Sequence, residues 1–410
     1  MNLKIIVYYI LIFFTALLIR LIIINNSLNE NHHVDLQIYL GGGALIKNKI
    51  NPYNYDEKKE MRTILRQQSS NVGLQRDQDF WNFWVSGNLP LNLLFFGLLS
   101  IIWHDPLFYR IVFGLFDSIL SVLVLYFVLK NWQIRTNNKI YYYLRYVSGI
   151  LLGVLSLVLL QWGTRNPEDK GIEILLILST VLCLESKKSI IREYLSPILL
   201  GLSVGFKVFG IFLLPFYLYK NFIVNKISVN KIIKGLVLII FFSLIWFIPF
   251  IPEVANLMTN RIFHQVLSKP EYASIWILPF SMFPHNWNTF RYISIFLIMG
   301  ISIFGVIQKS ITFLNFSGIL IILFIIFFLI GGSLDRLNIG IVLSILFLGT
   351  QNIIIGFLFS LFYFILGIAS LFFNYNEFSL SLIVLIYALI YIAGIAFLVI
   401  FPKNSSKRGR

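Results

Sequence analysis

Apolar residues in this chain come in long runs joined by mostly short polar connections. The runs fall near 4–24, 109–130, 146–162, 172–184, 194–206, 209–222, 235–251, 292–307, 311–330, 339–350, 352–373 and 380–400. A helix crossing a bilayer needs about 20 apolar residues. The pattern therefore predicts an all-α polytopic membrane protein, a bundle of about 10–12 transmembrane helices in a single domain over 1–410. The first run follows Met1, Asn2, Leu3 and Lys4 directly, with no small-residue cleavage site, and reads as a retained helix rather than a signal peptide. Two larger polar intervals, 25–108 and 252–290, read as outer loops.

Composition excludes a soluble globular chain: 58% of residues are hydrophobic, 12% are charged, and the mean hydropathy is +0.82. The single cysteine, Cys183, leaves no disulfide framework and no cysteine-based metal site. The formal net charge is +15, from 33 Lys+Arg against 18 Asp+Glu, which by itself would suit a nucleic-acid partner. Its placement points elsewhere. With the N-terminus inside, the inward connections carry Lys130, Arg135, Lys139 and Arg145, then Lys187, Lys188 and Arg192, then Lys220, Lys226, Lys231 and Lys234, and the tail adds Lys403, Lys407, Arg408 and Arg410. Basic residues in short loops stay cytoplasmic, so the excess is a topology signal and implies no nucleic acid. The acids and all five histidines fall mainly in or beside outward loops, so function is expected on the exterior, periplasmic or lumenal face.

The 25–108 loop is long for a compact membrane protein, and such loops are usually functional. Val34-Asp35-Leu36-Gln37-Ile38-Tyr39, Gly41-Gly42-Gly43-Ala44 and Asn51-Pro52-Tyr53 read as a short helix ending in a turn. The glycine run suits close helix contact or a simple turn better than a phosphate cradle. Asp56 to Arg66 reads as a solvated helical face. Leu93–Trp103 is apolar but too short to span, and with the nearby tryptophans it suggests two or three helices lying on the outer membrane surface.

No nucleotide-binding glycine loop, zinc-protease His pair or nucleophile elbow is present. What stands out is a set of charges at the outer ends of the runs: Asp35, Asp117, Arg165, Glu168, Asp169, Glu173 and Lys207. Charges at or within the membrane are costly, and each is by default paired or functional. Asp35 suits a helix cap as well as a chemical role, and Asp117 suits a structural pair or hydrogen bond to a neighbouring span. Glu168 and Asp169 suit the start of a helix. Lys207 interrupts an apolar pair of runs with no acid within ten residues on either side, which calls for an anion. His33 and His264 suit ordinary surface positions.

Four segments together resemble GT-C fold glycosyltransferases, most of all polyprenyl-phosphate-dependent mannosyltransferases of the GPI mannosyltransferase I type. They are His33-Val34-Asp35-Leu36-Gln37-Ile38-Tyr39 with Asn51-Pro52-Tyr53; Leu115-Phe116-Asp117-Ser118; Gly163-Thr164-Arg165-Asn166-Pro167-Glu168; and Gly201 to Phe209 around Lys207. The resemblance covers about residues 1–225. It implies inverting transfer of a hexose, mannose in the nearest families, from a polyprenyl-phosphate donor to a lipid-linked or glycan acceptor. On this reading Asp35 is the general base, and Arg165 and Lys207 bind the donor phosphate. Gln37, Glu168, Asp169, His264, Glu271 and Tyr272 orient the acceptor, and Asp117 is a structural polar residue.

Two departures matter. His33 stands where many relatives carry the first aspartate of an Asp-x-Asp pair, so metal use is not inherited; a divalent cation, if one were used, would draw on Asp35, Glu168 and Asp169. Gly210 stands where relatives carry a proline after the Lys-Ile-Tyr segment. Two other classes share some of these features. A lipid-linked polysaccharide polymerase or ligase would place key arginines in later outer loops, where Arg261, Arg291 and Arg336 stand. A transporter or flippase would show related halves with midplane sites, and no internal repeat is present.

Overall fold

The computed structural model describes residues 3–27, 34–53, 63, 88–132, 139–156, 160–165, 167–251, 253–254, 281–287, 289, 292–293, 296, 300, 341–343, 345–346, 348–350 and 352–372. Every regular element among them is helical. In chain order the main ones are α1 (Leu3–Asn26), α2 (Val34–Lys47), α3 (Pro90–Ile102), α4 (Pro106–Asn131), α5 (Lys139–Gly149), α6 (Lys170–Leu184), α7 (Ser196–Phe206), α8 (Leu214–Tyr219), α9 (Val229–Leu244) and α10 (Ile353–Phe372). Three stretches, Ile6–Asn26, Pro106–Asn131 and Val229–Phe250, are long and apolar enough to cross a membrane. The protein is thus all-helical with membrane character.

The sequence signals for helix starts are plain at α4. Asp105 accepts from the amides of Leu107 (2.8 Å) and Phe108 (3.3 Å), and Pro106 takes the first helical position, where its missing N–H costs nothing. Other runs are less continuous than hydropathy suggests. The expected 146–162 span is the end of α5 passing into a π-helical turn at Ile150–Val154, with a second at Leu160–Arg165. The apolar pair 194–222 is broken at Lys207, which is extended (φ −148°, ψ 145°) between α7 and a 3₁₀ turn at Val208–Leu213.

Leu93 to Ile102 lie within α3, and Trp103 caps its end. The 13 residues of α3 reach only about 20 Å, short of a roughly 30 Å hydrocarbon core. The helix lies along α2, and two glycines set their approach. A Cβ at Gly43 would overlap the Ser100 hydroxyl and come within 2.7 Å of the Phe96 carbonyl, and one at Gly97 would overlap Ile46. The Gly41-Gly42-Gly43 run is therefore helical and serves close packing. An aromatic layer sits beneath: Tyr39 stacks on Phe96 at 4.3 Å, Phe96 on Tyr109 at 5.9 Å, and Phe95 meets Phe206 edge-on at 5.9 Å. With Leu36, Leu40, Phe113 and Ile172 these residues join α2, α3, α4, α6 and α7 in one buried core. Truncating a buried aromatic such as Phe96 to Ala typically costs about 3–5 kcal/mol. This layer carries the polar cluster described next.

Candidate functional site

Lys207 forms an ion pair with Oδ1 of Asp169, 38 positions earlier in the chain. Both positions are ends of helices. Lys207 closes α7, its amide bonding the Ser203 carbonyl at 2.9 Å, and Asp169 precedes α6. Asp169 stands at the N-cap position of α6 but makes no capping bond. Its second oxygen accepts instead from Nδ2 of Asn92 on α3, at 2.7 Å. Beside it Lys170 pairs with Glu168 at 2.6 Å, both side chains nearly buried. One turn into α6, Glu173 accepts from the Ser203 hydroxyl at 3.3 Å.

Tyr39 connects this cluster to the first loop. Its hydroxyl meets the Asp169 backbone, and its proton is held well above the ordinary phenol range by burial and then by the negative charge of Asp169, Asp35 and Glu168. Asp35 lies one turn before Tyr39, half-buried in the first turn of α2. Burial opposes the charge of Asp169, yet Lys207 and Lys170, with hydrogen bonds from Lys207 and Asn92, hold its carboxyl below the usual carboxylate range. Asp35, the adjacent Glu168 and Asp169, and Lys207, drawn from three separate stretches of sequence, thus share one region at the heads of α2 and α6 and the tail of α7.

A second polar knot joins α1, α4 and the segment before α6. The Thr164 hydroxyl donates to Asp117 Oδ2 at 3.2 Å, and Asp117 is wedged between Gly163 and Gly171, where any Cβ would overlap its carboxylate. Arg20 of α1 faces it electrostatically while donating to the Ala16 carbonyl (3.1 Å) and the Ser121 hydroxyl (3.0 Å). Arg110, near the start of α4, donates to the Ser27 carbonyl at 2.6 Å, to the Ser27 hydroxyl, and to the carbonyls of Thr164 (3.4 Å) and Arg165 (3.2 Å). It ties the end of α1 to the loop before α6.

Arg165 itself is exposed, and Gln37 is buried in α2. His264, Glu271 and Tyr272 lie outside the described residues, as does His33. Asn92, Tyr39, Lys170, Arg20 and Arg110 were not among the expected site residues. Arg20 alone had a clear sequence signal, being a charge inside an apolar run. The proposed carboxylate set fits a divalent cation poorly. Both Asp169 oxygens and one Glu168 oxygen are already engaged, and among the described residues no three His, Cys, Asp or Glu side chains gather as metal ligands. No protein-family model, curated protein or solved structure matches the chain.

Proposed function

We propose that the protein is a membrane-embedded glycosyltransferase that moves a hexose from a polyprenyl-phosphate donor to a lipid-linked or glycan acceptor. The observation that carries this reading is the Lys207–Asp169 ion pair with Glu168 beside it, in the electrostatic neighbourhood that Tyr39 shares with Asp35. Such a reaction needs a carboxylate beside the acceptor and positive charge beside an anionic leaving group. Asp35, the most accessible of these carboxylates, takes the acceptor hydroxyl proton. The acceptor oxygen then bonds to the anomeric carbon from the face opposite the phosphate, and configuration inverts. The carbon–oxygen bond to phosphate breaks, and polyprenyl phosphate leaves with the electron pair.

Lys207 meets the departing phosphate as a point charge, and Arg165, exposed at the end of its loop, can grip it with two parallel hydrogen bonds. Because Asp169 already neutralises Lys207, the phosphate must share that ammonium, which keeps donor binding reversible. The catalytic face is the exterior or lumenal one, following the one-sided basic excess.

The test is transfer of labelled mannose from a polyprenyl phosphate into the lipid and glycan fractions by purified protein in liposomes. Asp35→Asn should fold and bind donor yet lose about 10²- to 10⁴-fold in rate. Full turnover in Asp35→Asn would remove Asp35 as the base, and no transfer by the wild type to any fraction would remove the reading.

A further inference from the structure

The end of the bundle opposite the candidate site carries an aromatic and cationic girdle with no role in the chemistry above. Tyr9 of α1 meets Tyr126 of α4 at 6.1 Å, and Tyr8 meets Tyr146 of α5 at 6.3 Å, both edge-on. Two cations sit on these rings. Lys130 Nζ lies 5.5 Å from the Tyr126 ring centre, and the Arg145 guanidinium lies 5.8 Å from that of Tyr142 while donating to the Trp132 carbonyl at 3.0 Å. Tyr142, Tyr143 and Tyr146 are exposed, Tyr143 by 68%.

The height of the girdle is informative. Arg110 and Lys130 are separated by 20 residues of one helix, about 30 Å at the α-helical rise, which is roughly one hydrocarbon thickness. The girdle therefore lies at one headgroup level when the Arg110–Ser27 junction lies at the other. Tyrosine favours that level because its ring is apolar and its hydroxyl wet. One acid is near: Glu185 faces Lys130 and Lys220 and is bonded by Asn131. The local balance remains positive.

We infer that this girdle binds the phosphate of anionic phospholipid headgroups in the leaflet facing the α1 N-terminus. Lys130 and Arg145 supply the charge, and exposed tyrosine hydroxyls donate to phosphate oxygens. A soluble partner would not need cations held against rings at a membrane interface, whereas a lipid phosphate arrives at that depth. The inference does not depend on the transferase reading.

The experiment measures the preference of the full-length protein, reconstituted in phosphatidylcholine bilayers, for spin-labelled phosphatidylglycerol over spin-labelled phosphatidylcholine. Wild type should prefer the anionic lipid, and each cation removed should lower the preference roughly fivefold at the site. Lys130→Gln with Arg145→Gln should abolish most of it. Lys130→Arg with Arg145→Lys should retain it, which separates lost charge from lost folding. Lys231→Gln should change little, because Glu193 already pairs with Lys231 at 2.9 Å. Equal affinity for the two lipids in wild type, or an undiminished preference in the double Gln variant, would overturn the inference. So would displacement of the anionic lipid by millimolar inorganic phosphate, which would mark a free-phosphate site.

Discussion

Asn92 donates to one oxygen of Asp169 at 2.7 Å across 77 positions of sequence, while Lys207 holds the other oxygen. The carboxylate is thereby the shared anchor of α3, α6 and α7. Asp169→Asn removes the ion-pair partner of Lys207. Breaking a buried pair from one side costs about 3–5 kcal/mol, and the 20% exposure of the Lys207 side chain favours the low end. Asn92→Leu removes only one donor, at about 1–3 kcal/mol, and relieves the Asn92 Oδ1 atom, which is buried without a partner. Unfolding in mild detergent should rank Asp169→Asn below Asn92→Leu. The reverse order would show that the pair is not the main anchor.

Asp117 demands glycine on two sides. Gly171→Ala and Gly163→Ala should each destabilise by about 1–3 kcal/mol, because the added methyl overlaps the Asp117 carboxylate, which is hemmed in by the opposite glycine and by Thr164 and must be displaced. Gly114→Ala, whose Cβ would sit 3.5 Å from Ile24, is ordinary contact in the interior of α4 and should be neutral or stabilising. Thermal unfolding of the three variants checks this. A Gly171→Ala protein as stable as Gly114→Ala would mean that Asp117 can turn aside at no cost.

How much of this was legible depends on distance along the chain. Hydropathy marks α1, α4 and α9 because a long apolar helix declares itself within its own residues. Lys207 stands out for the same local reason, an uncompensated charge in an apolar setting. Asp169 stands out too, but its pairing with Lys207 is not legible, because 38 residues and a helix-to-helix crossing lie between them and nothing in the local pattern encodes the register of α6 against α7. Arg110 reads as an ordinary flanking charge at the edge of an apolar run. Only the end of α1 and the Thr164–Arg165 backbone, brought beside it by packing, reveal it as a junction. The 146–162 run misleads for the opposite reason: apolarity persists through a segment whose backbone leaves the regular α-helix.

Arg110 makes a separate prediction about that junction. Its guanidinium serves carbonyls on both sides, a geometry a lysine ammonium cannot reproduce. Arg110→Lys should therefore loosen two stretches together, the end of α1 near Ser27 and the 160–165 turn, while the middle of α6 stays protected. Hydrogen exchange followed by mass spectrometry reads both in one experiment. Faster exchange in one stretch alone would show that the two are held independently.

His104 supplies the pH dependence. It lies between α3 and α4, with its Nδ1 2.8 Å from the Ser100 hydroxyl, which in turn meets the Tyr109 hydroxyl at 2.6 Å. Burial lowers its pKa below the ordinary 6.5, the positive charge of Lys47 lowers it further, and Asp105 only partly opposes them. The folded protein therefore holds the ring neutral over a range in which the unfolded chain has begun to take up the proton. Proton uptake by the unfolded state alone favours unfolding. The contribution of His104 to stability is thus complete above the unfolded value of about 6.5 and declines as pH falls through it toward the lower folded value. His104→Gln keeps a polar side chain but cannot titrate there. Between about pH 7.5 and 5.5, unfolding midpoints of the wild type should fall more steeply than those of His104→Gln. Parallel curves would show that His104 titrates alike in the folded and unfolded chain, and that the Ser100–Tyr109 contact does not depend on its neutral form.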